Sequence, residues 1–215
     1  MTANTPEPKT VAIEFALARA RALAAAGERR LLGIAGMPGS GKSTLAARVA
    51  AELGGLAVCV PMDGFHLAGA ELARLGRRER KGAADTFDVA GYIALLRRLR
   101  EPEPGVTVYA PAFDRVLEEP VAGTIAVESD VPLVVTEGNY LLLWQRPWAA
   151  VRPLLDEAWY AAVRPEVRVA RLMSRHAGFG KTEEQARHWS RGSDQVNADL
   201  VAPTWREADL VVALD

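Results

Sequence analysis

The sequence predicts an α/β fold: a mostly parallel central sheet covered by helices on both faces. Two observations predict it. Short, almost wholly apolar runs (RLLGIAG at 30–36, LAVCVPM at 56–62, VPLVVTEG at 131–138, EAWYAAV at 157–163 and ADLVVALD at 208–215) read as strands buried on both sides. Segments of helical period alternate with them, as crossover connections require. The 215 residues, 49% hydrophobic and 25% charged, suit one soluble domain over residues 1–215 with a full core of its own.

The elements follow in order. Residues 1–8 read as a frayed end. Over 9–26, Val11, Phe15, Ala18 and Ala22 recur at helical spacing, and Gly27 suits the cap of that N-terminal helix. KSTLAARVAAEL (42–53) reads as a helix stopped by Gly54 and Gly55, and HLAGAELARLG (66–76) as a short one. RRERKGAADT (77–86) is charged and glycine-containing, the pattern of a mobile loop. Asp88 stands where it can cap the helix VAGYIALLRRLR (89–100). VTVYAP (106–111) and GTIAVES (123–129) are strand-like, with a turn-rich segment between them. Helical patterns return at about 165–177 and 182–191.

Bulk properties exclude several classes. A net charge of −1 gives no global field for nucleic acid or anionic membrane, so neither is expected as a partner. No run reaches the ~18 apolar residues of a membrane span, and the polar start lacks the apolar core of a signal peptide. One cysteine, Cys59, excludes an intrachain disulfide; it reads as a core residue, and a cytoplasmic location is expected. No His/Cys/Asp spacing supports zinc. Trp144, Trp148 and Trp159 read as core, and His176 and His188 as surface residues.

Gly36-Met37-Pro38-Gly39-Ser40-Gly41-Lys42-Ser43 fits G-x-x-x-x-G-K-[ST] between a strand and a helix, the context that motif needs. Glycines let backbone N–H groups turn toward phosphate oxygens, and the helix presents its positive end to the anion. With Thr44 this stretch is the expected ATP site: Lys42 reaches the β- and γ-phosphates and Ser43 ligates Mg²⁺. Only four lysines occur among 26 basic residues, and one of them is here. The expected fold class is therefore the P-loop NTPase three-layer α/β/α fold. The loop alone does not separate kinase from switch or motor. No guanine-reading N-K-x-D is present, and the run ending at Glu137 continues into glycine, not Asp-Glu.

Five further motifs stand in order after this loop: PMDGFHL, RKGAADTFD, VYAPAFDR, VVTEGNYLL and RVARLMSRH. Together they resemble the P-loop kinases of the uridine kinase, phosphoribulokinase and bacterial pantothenate kinase group, nearest a bacterial nucleoside/nucleotide, fructose kinase-like branch. The resemblance runs from about residue 30 to 214. It implies a helical lid at about 165–190, ATP and Mg²⁺ as cofactors, and a small-molecule hydroxyl as acceptor.

It also implies roles. Asp63 is the candidate base for the attacking hydroxyl, with a turn position before Gly64 and an Mg²⁺ role through water as the alternatives. Glu137, a carboxylate ending an apolar strand, needs a metal or a substrate hydroxyl as partner. Arg171 and Arg175, four apart, share a helix face with Arg168 as a cationic stripe; Arg171 is assigned to the nucleotide and Arg175 to the closing lid. His66, Arg80, Lys81, Asp88, Tyr109 and Arg115 are the candidate acceptor contacts, with Asp85 and Phe113 beside them. No cluster suits a substrate phosphate, so an unphosphorylated nucleoside or sugar is preferred. A pantothenate-like acceptor and an ATP-binding regulatory module with slow hydrolysis stay open, as does a homodimer.

Overall fold

In the computed structural model, which describes residues 7–178, 182, 184, 187, 189, 190 and 192–214, a parallel sheet forms the centre. In chain order the elements are β1 (Lys9–Val11), α1 (Ile13–Ala24), β2 (Arg30–Ala35), α2 (Lys42–Leu53), β3 (Ala57–Cys59), α3 (Gly69–Arg74) and α4 (Val89–Arg100). They continue with β4 (Val108–Asp114), β5 (Glu119–Val127), β6 (Leu133–Gly138), β7 (Glu157–Ala162), α5 (Pro165–Gly178), α6 (Ser193–Val201) and β8 (Leu210–Ala213). Among the described residues the sheet has six strands in the order β1-β8-β7-β2-β6-β3, every neighbouring pair parallel. β4 and β5 form a separate antiparallel hairpin.

Strand parity divides the core. Leu32 and Ile34 of β2 and Leu133 and Val135 of β6 face the layer of α1 and α2, packing with Leu17, Leu45 and Val49. Leu31 and Ala35 of β2 and Val134 of β6 face α4, packing with Tyr92, Leu96 and Trp148. The same alternation governs the polar residues near the end of β6. Thr136 falls on the α4 side, where its hydroxyl lies 2.7 Å from the Tyr92 hydroxyl and donates to the Val60 carbonyl. Glu137 falls on the α2 side, against the first turn of that helix.

Several expectations are corrected. Lys9–Val11 is an edge strand paired with β8, so the first helix starts at Ile13; three residues cannot announce a strand by period. Its buried face is Ala16, Leu17, Ala20 and Leu23, while Phe15, Ala18 and Ala22 lie toward solvent. Alanine carries too little apolar signal to set the phase of such a helix. The short helix covers only Gly69–Arg74, and Asp63 sits instead in a one-turn segment, Met62–Phe65. α6 has no counterpart in the sequence reading. The helix expected over 182–191 and the side chains of His176 and His188 fall largely outside the described residues. Trp148 and Trp159 are core, but Trp144 is half exposed.

The segment 77–86, expected to be mobile, is tied down. Tyr140 donates to the Gly82 carbonyl at 2.6 Å, the Trp148 indole to the Ala84 carbonyl at 2.9 Å, and Arg77 to the Asp85 carbonyl at 2.8 Å. Asn197 of α6 reaches the same Gly82 carbonyl at 3.4 Å. The anchors from Tyr140, Trp148 and Asn197 come from distant parts of the chain, so local composition could not show them.

Candidate active site

Lys42, Asp63, Lys81, Arg115, Arg171 and Arg175 line two cavities beside the phosphate loop at the carboxyl edge of the sheet, where ligands bind in folds of this topology. β2 ends in the turn 36–43, in which Ser40 N–H donates to the Met37 carbonyl at 3.0 Å. Gly41 holds a left-handed φ of 94° at the start of α2 and makes no side-chain cap. The unpaired N–H groups of a helix's first turn are thereby left for an anion. Gly39 is required by packing as well as by its φ of 81°: a Cβ there would stand 2.9 Å from the Arg168 carbonyl of α5. α5 thus rests directly on the phosphate loop.

Ser43 opens the face of α2 toward β6 and donates to Glu137 Oε1 at 2.9 Å. Burial pushes the Glu137 carboxyl above its ordinary value, with Lys42 opposing and Asp63 reinforcing that shift. Asp63 is delivered by the turn after β3, and Arg115 Nη2 approaches its Oδ2 at 3.8 Å from the tip of the β4–β5 hairpin. Gly64 has a packing role: a Cβ would collide with the Pro111 carbonyl of β4 at 2.3 Å. Glycine after Asp63 lets the hairpin close onto the turn.

Two cavities meet here. One, about 690 Å³, is lined by Gly41, Thr44, Arg48, Arg171 and Leu214 among others. The second, about 550 Å³, is lined by Asp63, His66, Lys81, Phe113, Glu119 and Asn139 among others. Lys42, Ser43, Arg115 and Arg175 line both. The junction is therefore built of three cations and the Ser43 hydroxyl, with Asp63 on one side only.

The remaining candidates divide. Gly36, Met37 and Ser40 shape the loop without lining either cavity, and Met37 packs against the core. Pro38 lines the second cavity. Arg171 lines the first while donating to the Ser40 and Leu214 carbonyls at 3.3 and 3.1 Å. Arg168 does not extend the cationic stripe. It is buried, donates to Gln195 of α6 and reaches the Pro38 carbonyl at 3.5 Å, so it braces α5 against the loop and α6.

Three acceptor-side candidates are not in the cavity wall. Arg80 grips Asp85 through two hydrogen bonds of 2.7 and 3.1 Å. Asp88 caps α4 by accepting from Gly91 N–H at 2.9 Å, the role its position before the helix also allowed. Tyr109 is 60% exposed on the hairpin, away from both cavities. Its alternation partners Val108 and Ala110 take the buried side.

His66 is in the wall: its Nδ1 hydrogen donates to the Asp63 carbonyl at 2.7 Å, and its ring packs between Phe87 and Phe113. Burial holds its imidazole below the ordinary value. Lys81 is also there, donating to the Glu118 carbonyl. Sequence reasoning missed Glu119 and Asn197. Asn139, at the start of the run NYLLLW that could wall the pocket or be packing, lines the second cavity. Glu119 becomes visible only with the hairpin register, which sets it opposite Asp114. Cys59 is inert, its thiol pushed up to about 12 by burial.

A phosphate loop joined through three cations to a second cavity that holds a carboxylate defines a P-loop phosphotransferase acting on an alcohol. The comparisons with known proteins agree. The chain is 37% identical over 196 residues to a Schizosaccharomyces pombe protein named "Putative uridine kinase", covering 86% of this chain and 83% of that one. It is 35% identical to an "ATP-dependent kinase-like protein" of Aspergillus versicolor, covering 68% of this chain and 96% of the other. Among solved structures, a "putative fructose transport system kinase" from Silicibacter superposes with a TM-score of 0.81 at 33% identity, covering 91% of this chain and 97% of that one. No family model matches the chain. This protein belongs to the P-loop kinases of the uridine kinase, phosphoribulokinase and pantothenate kinase group. It is an ATP-using kinase, and no helix among the described residues is long and apolar enough to cross a membrane.

Proposed function

We propose that the enzyme transfers the γ-phosphate of ATP to a hydroxyl of a small unphosphorylated metabolite, a nucleoside or a sugar, with Asp63 as base. The observation that carries this is the shared wall: Lys42, Ser43, Arg115 and Arg175 belong to both cavities, so a phosphoryl group held there touches donor and acceptor sides at once. The acceptor O–H gives its proton to Asp63 as its oxygen bonds to the γ-phosphorus. The bond to the β,γ-bridging oxygen breaks and ADP leaves. Lys42 and Arg175 oppose the charge that spreads over the transferring group, and α5 excludes water, whose attack would waste the nucleotide.

The residues present fit Mg²⁺. Ser43 Oγ and Glu137 Oε1 converge at 2.9 Å as hard oxygen donors beside the phosphate loop, and phosphate oxygens and waters complete such a shell. When bound, the ion neutralises phosphate charge. An unphosphorylated acceptor is supported by how three of the five cations lining the second cavity are engaged. Arg115 lies 3.8 Å from Asp63, Arg175 3.9 Å from Asp194 and Lys81 4.0 Å from Glu119, so carboxylates accompany these cations.

The test is acceptor-dependent ADP release with ATP and Mg²⁺ over nucleosides, ketoses, aldoses, polyols and pantothenate. At least one neutral hydroxyl compound should raise turnover well above the water background. If none does, the chain is a nucleotide-binding module with slow hydrolysis.

A further inference from the structure

One wall of the acceptor cavity is not used by the transfer step. Glu119 opens β5, and both of its carboxylate oxygens accept from the Gly69 backbone N–H, at 2.9 and 3.0 Å. Glycine at 69 makes this possible, since a Cβ would stand 2.7 Å from Glu119 Oε1. The preceding residue, Glu118, holds a left-handed φ of 56°, rare for a non-glycine residue, and its carbonyl accepts from Lys81. Strained backbone of this kind persists where surrounding contacts over-determine it, and it clusters at ligand sites. Lys81 Nζ ends 4.0 Å from Glu119 Oε2 and 5.2 Å from the centre of the Phe113 ring.

Three separate pieces of chain, the hairpin, the start of α3 and the tied 77–86 segment, therefore set a carboxylate and an ammonium side by side on the cavity. Their separation of 4.0 Å exceeds the roughly 2.8 Å of a direct charged hydrogen bond. It leaves room for one hydroxyl oxygen to donate to Glu119 and accept from Lys81 together. A carboxylate offers about four lone-pair sites, and a single N–H from Gly69 does not fill them. His66 adds a second acceptor: with its Nδ1 hydrogen given to the Asp63 carbonyl, the neutral ring keeps a lone pair on Nε2. A wall with these acceptors suits a ligand rich in O–H donors.

We propose that Glu119 and Lys81 are the hydroxyl-reading end of the acceptor cavity, and that the acceptor is a neutral polyhydroxylated molecule, a sugar or polyol. This rests on the kinase reading above and narrows it. One hydroxyl bridges Glu119 and Lys81 while another is presented to Asp63. Phe113 and Phe87 supply apolar surface for the carbon skeleton.

The experiment measures KM and kcat with ATP and Mg²⁺ for D-fructose, D-ribose, xylitol, uridine, pantothenate and glycerate, in the wild type and in Glu119→Gln. Glutamine keeps an oxygen for the Gly69 N–H, and thermal unfolding confirms that the variant is folded. The expected result is turnover of the sugars or polyols. Glu119→Gln should raise their KM at least tenfold while kcat at saturation and the Kd for a non-hydrolysable ATP analogue stay within twofold. Monodeoxy forms of the best substrate should include one whose KM is equal in the two proteins, marking the hydroxyl that Glu119 reads. Turnover of pantothenate or glycerate without the neutral sugars overturns the inference and leaves the kinase intact, as does an unchanged KM in Glu119→Gln. If no compound accelerates ADP release, the inference and the kinase reading fail together.

Discussion

The Ser43 hydroxyl donates to Glu137 Oε1 at 2.9 Å, joining the first turn of α2 to the end of β6 inside the sheet's carboxyl edge. Burial raises the Glu137 carboxyl, so its ionised form costs the folded state free energy. Glu137→Gln removes that cost and keeps an acceptor for Ser43. The variant should melt at a higher temperature than the wild type at pH 7.5 without nucleotide, yet lose at least tenfold in kcat. A lower melting temperature would show that the carboxylate is held for stability and not for the phosphates.

Asp63→Asn should bind a non-hydrolysable ATP analogue normally and lose on the order of 10²- to 10⁴-fold in kcat, the span of general-base catalysis. Arg115, 3.8 Å away, would persist as a cation at the junction, so nucleotide affinity is not expected to fall. A variant with full kcat removes Asp63 from the mechanism.

Arg175 and Arg168 lie two turns apart on α5 but should behave differently. Arg175→Met, at the shared wall of the two cavities, should lower kcat by roughly 10- to 10³-fold and shift the nucleotide Kd by less than threefold. Arg168→Met, behind the loop, should instead lower thermal stability by about 1–3 kcal/mol, since it removes a buried guanidinium that donates to Gln195 and leaves that acceptor unpaired. Equal kinetic losses in both would mean that the lid acts as one unit.

Asp88→Ala should cost about 1 kcal/mol of stability through the lost cap on α4 and leave the acceptor KM unchanged. Urea unfolding and steady-state kinetics together decide it. A raised KM at unchanged stability would return Asp88 to the acceptor site.

His66 provides a pH signature. Its imidazole is held below the ordinary value of about 6.5 by burial, against the pull of Asp63 and with help from Lys81 and Arg115. The neutral ring is favoured in the folded state. Its contribution to stability is therefore full above the ordinary value and is lost as pH falls through the lower folded value. The acceptor KM should stay flat down to about pH 6.5 and rise only below it, and the rise should be absent in His66→Asn. A step centred at or above the ordinary value contradicts the buried, neutral ring.

The site was legible in the sequence where chemistry follows chain order. Gly36 to Ser43 needs only a strand before it and a helix after it. Glu137 and Asp63 betray themselves as carboxylates released at the ends of apolar runs. Asp88 could be read as cap or as ligand, and only the bond from Gly91 N–H separates the two. The lid arginines shared one period, yet Arg168 faces inward and Arg175 the cavities, because α5 presses its near end onto Gly39. Phase on a helix of mostly polar residues is set by what it packs against.

Local period and residues close in the chain are enough to give the α/β class, the phosphate loop with its flanking strand and helix, and the carboxylates at strand ends. Which cations meet Asp63, the anchoring of 77–86 and the place of Glu119 in the second cavity were set by the folded chain. Those facts depend on contacts between distant segments: Arg115 reaching Asp63 across 52 positions, Tyr140 reaching Gly82 across 58, and Glu119 reaching Gly69 across 50. No local pattern encodes such contacts. They follow from the sheet order and from the hairpin that folds over its edge.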